Sequence, residues 1–70
     1  MKRYLFMPNI TIDGPKIESL EVKRNLIKEI TNAVEKAYKI PKEHIIVVIK
    51  ENVPENVGIG GILISDRRRM

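Results

Sequence analysis

Ile45-Ile46-Val47-Val48-Ile49 is an unbroken run of β-branched residues. Runs of this kind form strands covered on both faces rather than on one. Upstream, from Ser19 to about Tyr38, the apolar residues Leu20, Leu26, Ile27, Ile30, Ala33, Val34, Ala37 and Tyr38 recur at helical spacing, and Lys23, Lys28, Glu29, Glu35 and Lys36 fill the other side. Ser19 suits the N-cap of this helix, and Pro41 forbids its continuation past Ile40. Further upstream, Ile10 and Ile12 alternate with Asn9, Thr11 and Asp13, the pattern of a half-buried strand, and Gly14-Pro15 ends it. Strand, helix and strand make one β-α-β unit with parallel strands and a right-handed crossover.

Downstream, residues 51–56 contain Pro54 and read as a loop. Val57-Gly58-Ile59-Gly60-Gly61 reads as a flexible turn region leading into a last apolar piece, Ile62-Leu63-Ile64, so that a short C-terminal hairpin is expected. The fold class is α/β, with one domain over residues 8–66 and a basic tail over residues 67–70. A two-stranded sheet under one helix leaves a sheet face and a strand edge unsatisfied, so subunits are expected to pair and close a common core.

Seventy residues build only a thin core. Cysteine is absent and His44 is the only histidine, so neither disulfides nor a Cys/His metal cluster can reinforce it. A hydrophobic fraction of 43% with three aromatic residues therefore points to burial of apolar surface against copies of the same chain. The net charge of +4 is held largely by Lys2 and Arg3 at one end and Arg67, Arg68 and Arg69 at the other, and the body between them mixes Lys with Glu. Such a surface is a solvated one, and no aromatic platform accompanies the arginine run, so nucleic acid is not an expected partner. No stretch reaches the about 18 apolar residues that span a bilayer, and the cationic opening has too short an apolar part for a signal peptide, so a cytoplasmic protein with no membrane partner is expected.

Familiar catalytic constellations are missing: there is no cysteine nucleophile and no second histidine. Gly58-Ile59-Gly60-Gly61 lacks the spacing and the following Lys-Ser or Lys-Thr of a phosphate loop. His44, in a polar turn ahead of the second strand, suits a surface role. Met7-Pro8 at the head of the first strand, Lys23 and Leu26-Ile27 on the helix, Pro41, Glu51 at the end of the second strand and Val57-Gly58-Ile59-Gly60-Gly61 together resemble the 4-oxalocrotonate tautomerase family. The likeness runs without a gap from Pro8 to the tail. It implies a β-α-β subunit assembling into a hexamer, and an amino-terminal proline acting as general base in keto-enol tautomerisation, with no cofactor and no metal.

A free α-amino group titrates at about 7.7–8.0, and an apolar surrounding or a nearby cation lowers that value. A terminal proline nitrogen so tuned is partly free base near neutrality, where a proton shuttle works best. Inside a peptide bond the same nitrogen is an amide without useful basicity, and Pro8 then merely opens a strand. The reading therefore turns on Met7 as the true start, with residues 1–7 a non-native or cleaved extension; the alternative is a non-catalytic oligomeric scaffold with Pro8 inside the chain. The resemblance also implies where this chain departs from its relatives. Positions that carry two arginines and an aromatic residue in well-known members fall on Glu18, Ile46 and Val57 here. Ile46 and Val57 are expected to shape an apolar pocket, and Lys16 to hold or polarise a small keto or enol acid.

Overall fold

The structure, a computed structural model, describes residues 7–67. Lys2 and Arg3, with the rest of residues 1–6, and Arg68 and Arg69 lie outside the described residues. Strand β1 spans Asn9–Gly14, helix α1 Leu20–Tyr38 and strand β2 Ile46–Glu51. The two strands are parallel, in register from Asn9 opposite Ile46 to Gly14 opposite Glu51. This is the β-α-β unit that the periodicities predict, and its boundaries follow from local chemistry. The Ser19 hydroxyl accepts a hydrogen bond from Val22 N at 3.2 Å, satisfying one of the free N–H groups of the first helical turn. At the other end Lys39 takes a left-handed conformation (φ 56°, ψ 48°), its N–H bonds to Glu35 O at 2.7 Å, and Pro41 follows two residues later.

A left-handed lysine is strained by its Cβ, which glycine lacks. Lys39→Gly is therefore expected to stabilise the protein by about 0.5–1 kcal/mol, once the extra chain entropy of glycine offsets part of the relief. Urea denaturation measures this, and a destabilised variant would show that the Lys39 side chain contributes more than its conformation costs.

The helix covers one face of the sheet, where Ile10 and Ile12 of β1 meet Val47 and Ile49 of β2, all half-buried. From α1 the half-buried stripe is Lys23, Leu26, Ile27, Ile30, Thr31, Val34 and Glu35. Leu20, Ala33, Ala37 and Tyr38, which share the predicted apolar stripe, stay exposed on its flanks. The opposite face of the sheet is open: Ile46 is 47% exposed and Val48 40%. The expectation that β2 is covered on both faces is thus not met within one subunit, because a single helix shields only one side. Among the described residues none is buried.

After β2, a 3-10 turn at Pro54–Asn56 leads into a hairpin of β3 (Gly58–Ile59) and β4 (Ile62–Leu63). Gly60 and Gly61 both have positive φ (62° and 85°), as a two-residue hairpin loop of the primed type requires. Gly58 does not share that need, and the flexible region narrows to two residues. Ile64, expected to end the extended apolar piece, instead opens a single helical turn, α2 (Ile64–Arg67), tied back by Ile64 N to Val57 O at 2.8 Å.

Candidate active site

Pro8 stands immediately before β1, half-buried, and its carbonyl accepts a hydrogen bond from Ile46 N at 3.1 Å. Proline is tolerated here because the first residue of a strand needs no ladder donor. Ile46, in register with Asn9, lies beside it on the open face of the sheet. The predicted base and one predicted wall of its pocket thus come together at the amino-terminal end of the sheet.

Lys16 and Val57 both lie at the other end, Val57 in the wall of a cavity that Lys16 does not line. Loop 15–19 is drawn onto the end of β2 by Glu51, whose carboxylate accepts from Ile17 N at 3.0 Å and pairs with Lys23 Nζ of α1 at 2.9 Å. The Ile17 N–H first, then Lys23, with a smaller contribution from Lys16, hold the Glu51 carboxyl below its ordinary value of 4.5. Beside this loop, Asn52 N bonds to Gly14 O at 2.8 Å, and its side-chain amide donates to Asp13 Oδ1 and to Gly14 O. Between loop 15–19, the end of the sheet and the hairpin opens a cavity of about 410 Å³ with Pro15, Pro54, Val57 and Ile64 as apolar walls and Asp13 and Asn52 as polar ones.

Because the Glu51 pKa is lowered on folding, its contribution to stability is present above about pH 4.5 and is lost as the pH falls through the folded-state value. Glu51→Gln is expected to melt below the parent at pH 7, with the gap closing as the pH falls below about 4.5. Thermal melts between pH 7 and pH 3 measure it; a gap independent of pH would show that the carboxylate charge is not what anchors loop 15–19.

Six residues of β1 separate the two ends, about 20 Å along an extended strand. Within one subunit Lys16 and Val57 therefore do not meet Pro8 and Ile46, although only seven residues lie between Pro8 and Lys16 in sequence. The bonds between Glu51 and loop 15–19, and between Asn52 and Asp13, join residues 34 and 39 positions apart, and no local pattern signals such pairs. His44 sits half-exposed in a 3-10 turn over Lys42–His44, and its N–H bonds to Pro41 O at 3.0 Å. Among the described residues no group of three or more His, Cys, Asp or Glu is placed to hold a metal ion, and no helix is long and apolar enough to cross a membrane.

The family model described as Tautomerase enzyme matches residues 8–67, from the proline before β1 to the end of α2. A Listeria innocua protein named "Probable tautomerase" is 38% identical over 60 residues, 86% of this chain and 98% of its own. Of solved structures, DmpI from Archaeoglobus fulgidus superposes with a TM-score of 0.75 at 34% identity, covering 84% of this chain and 100% of that one. A heterohexamer 4-oxalocrotonate tautomerase from Chloroflexus aurantiacus superposes with a TM-score of 0.76 at 26% identity, over 89% of this chain and 100% of that one. With the parallel β-α-β unit and the glycine hairpin already in place, a match spanning the whole of both units establishes that this chain belongs to the tautomerase family.

Proposed function

We propose that the chain is a cofactor-independent keto-enol tautomerase of the cytoplasm, acting on a small keto or enol acid with Pro8 as the general acid and base. The observation that carries this reading is the place of Pro8: it heads β1 and is the residue at which the family match begins. Translation from Met7, followed by removal of that methionine, frees its nitrogen. Support comes from the relatives' size, since matches of 60 or 61 residues cover 98% to 100% of several of them. The secondary amine takes a proton from the enol oxygen, or from the carbon beside a carbonyl, and returns it at the other position. Nothing is consumed, and no metal or cofactor takes part.

The separation of the two ends makes the site a property of an assembly, for which a homohexamer is proposed. Among the described residues the outer edge of β1 has no partner. A second copy laid antiparallel along that edge brings its own loop 15–19 and Val57 towards the first copy's Pro8. Lys16 then holds the substrate carboxylate or polarises its carbonyl, and Ile46 and Val57 keep the amine in apolar surroundings that lower its pKa. Lys16→Ala is expected to reduce kcat/KM by about tenfold or more, the scale of a charge-assisted contact. Its melting temperature should stay nearly unchanged, since Lys16 is exposed. Unaltered kinetics would assign the electrostatic role to backbone amides or to the arginine tail.

Turnover of phenylenolpyruvate by protein begun at Met7 tests the proposal as a whole. A second reading rests on the peptide bond: in a chain begun at Met1 the Pro8 nitrogen is an amide, and the same fold is then a non-catalytic oligomer.

A further inference from the structure

The cavity beside Val57 contains one carboxylate in a defined position. Asp13 ends the open face of β1, and the Asn52 amide that donates to its Oδ1 also donates to Gly14 O at 3.3 Å. Asn52 is itself fixed by its backbone N–H to Gly14 O at 2.8 Å. The carboxylate is thus oriented by a neutral partner, which leaves its charge in place, while Pro15, Pro54, Val57 and Ile64 supply the remaining walls. Lys50 faces Asp13 across the strand pair, and both side chains are exposed, so water screens the attraction between them. Glu18, in the adjoining loop, adds a second negative charge to this end, and Glu51 has its charge taken up by Lys23.

Resting on the proposed function, and taking the cavity that Val57 lines as part of its substrate site, we propose that Asp13 is a specificity-determining residue that admits ligands with one carboxylate and rejects those with two. Lys16, in the loop that follows Pro15, is the cation that the proposed function assigns to the substrate carboxylate. The far end of a ligand then meets apolar walls and a fixed anion, surroundings that suit a methyl, an aryl ring or a hydroxyl able to donate to Asp13. A second carboxylate would face a like charge held in place there.

Sorbate and trans,trans-muconate form a matched pair of unreactive probes, equal in length and unsaturation and differing only in a distal methyl against a distal carboxylate. Calorimetric titration of the assembled Met7-start protein at pH 7 is expected to show sorbate bound about tenfold more tightly than muconate. Asp13→Asn keeps the shape and an oxygen to accept from Asn52. It should narrow the difference by about fivefold or more, chiefly through tighter muconate binding. Melting temperature and sedimentation of the variant verify that it remains assembled. Equal or tighter binding of muconate by the parent, a difference unchanged in Asp13→Asn, or failure of both acids to bind would each overturn the proposal. Because binding is read without turnover, discrimination between the acids in a protein that fails to tautomerise enols would count against Pro8 as the base and leave the role of Asp13 standing.

Discussion

Protein translated from Met7 is expected to ketonise phenylenolpyruvate, while the 70-residue form is at least about a hundredfold slower, the lower bound of what a positioned general base contributes. The two proteins share every residue from Pro8 onward and differ in one covalent fact. In the shorter one, loss of the initiating methionine leaves a secondary amine at the head of β1; in the longer one the same nitrogen is acylated by Met7. An amide lone pair is delocalised into its carbonyl and takes no proton near neutrality. Pro8→Ala in the shorter form is the complementary variant. It keeps a terminal amine but gains a freer chain and loses the ring, so that kcat/KM should fall by about tenfold or more. Following the loss of enol absorbance measures both comparisons. Equal rates for the two start sites, or an undiminished Pro8→Ala, would remove Pro8 from the mechanism.

Val48→Asp is expected to abolish assembly and, with it, folding at micromolar concentration. Val48 lies at the middle of β2 on the face that α1 does not cover, 40% exposed beside Ile46 at 47%. None of the described residues is buried in the isolated subunit, and in the proposed assembly the core is completed by its copies. Full burial of a valine contributes about 1.5–3 kcal/mol. A carboxylate in its place forfeits that and adds a desolvation cost of several kcal/mol per ion, repeated in every subunit of a symmetric assembly. Sedimentation of the parent should show a species several times 8.1 kDa, and the variant an unfolded monomer. A stable folded monomer of the parent, or a Val48→Asp protein with unchanged assembly and melting temperature, would show that the open face is a solvent surface.

The elements that set the fold are legible because each carries its own local period and its own terminator. Alternation from Asn9 to Asp13, helical spacing to Tyr38, the Ser19 cap and Pro41 are properties of neighbouring residues, and they place β1 and α1 within one residue, while β2 runs two residues past Ile49 to Glu51, where a loop is expected. The five apolar residues from Ile45 to Ile49 suggest cover on both faces, whereas in one subunit α1 covers only one of them and β2 alternates between exposed and half-buried positions. Ile64 continues an apolar run, yet its hydrogen bond to Val57 O closes the hairpin and starts a helical turn, a tertiary preference that the composition of the run does not reveal. For the site, the short sequence distance between Pro8 and Lys16 misleads because extended backbone converts it into length. Asp13 with Asn52, and Glu51 with Ile17 and Lys23, become visible only once the parallel register sets the ends of β1 and β2 side by side.

The mechanism stands on the protonation state of one nitrogen, and that state can be observed directly. In the Met7-start protein labelled with ¹⁵N-proline, the Pro8 amine resonance is followed from pH 5 to pH 10, alongside kcat/KM for phenylenolpyruvate over the same range. The amine should titrate below the about 7.7–8.0 of a free α-amino group, and kcat/KM should rise with pH through that same value as the free base forms. An amine that titrates at or above the free range, or a rate that rises at a pH unrelated to its titration, would contradict the assignment of Pro8 as the base.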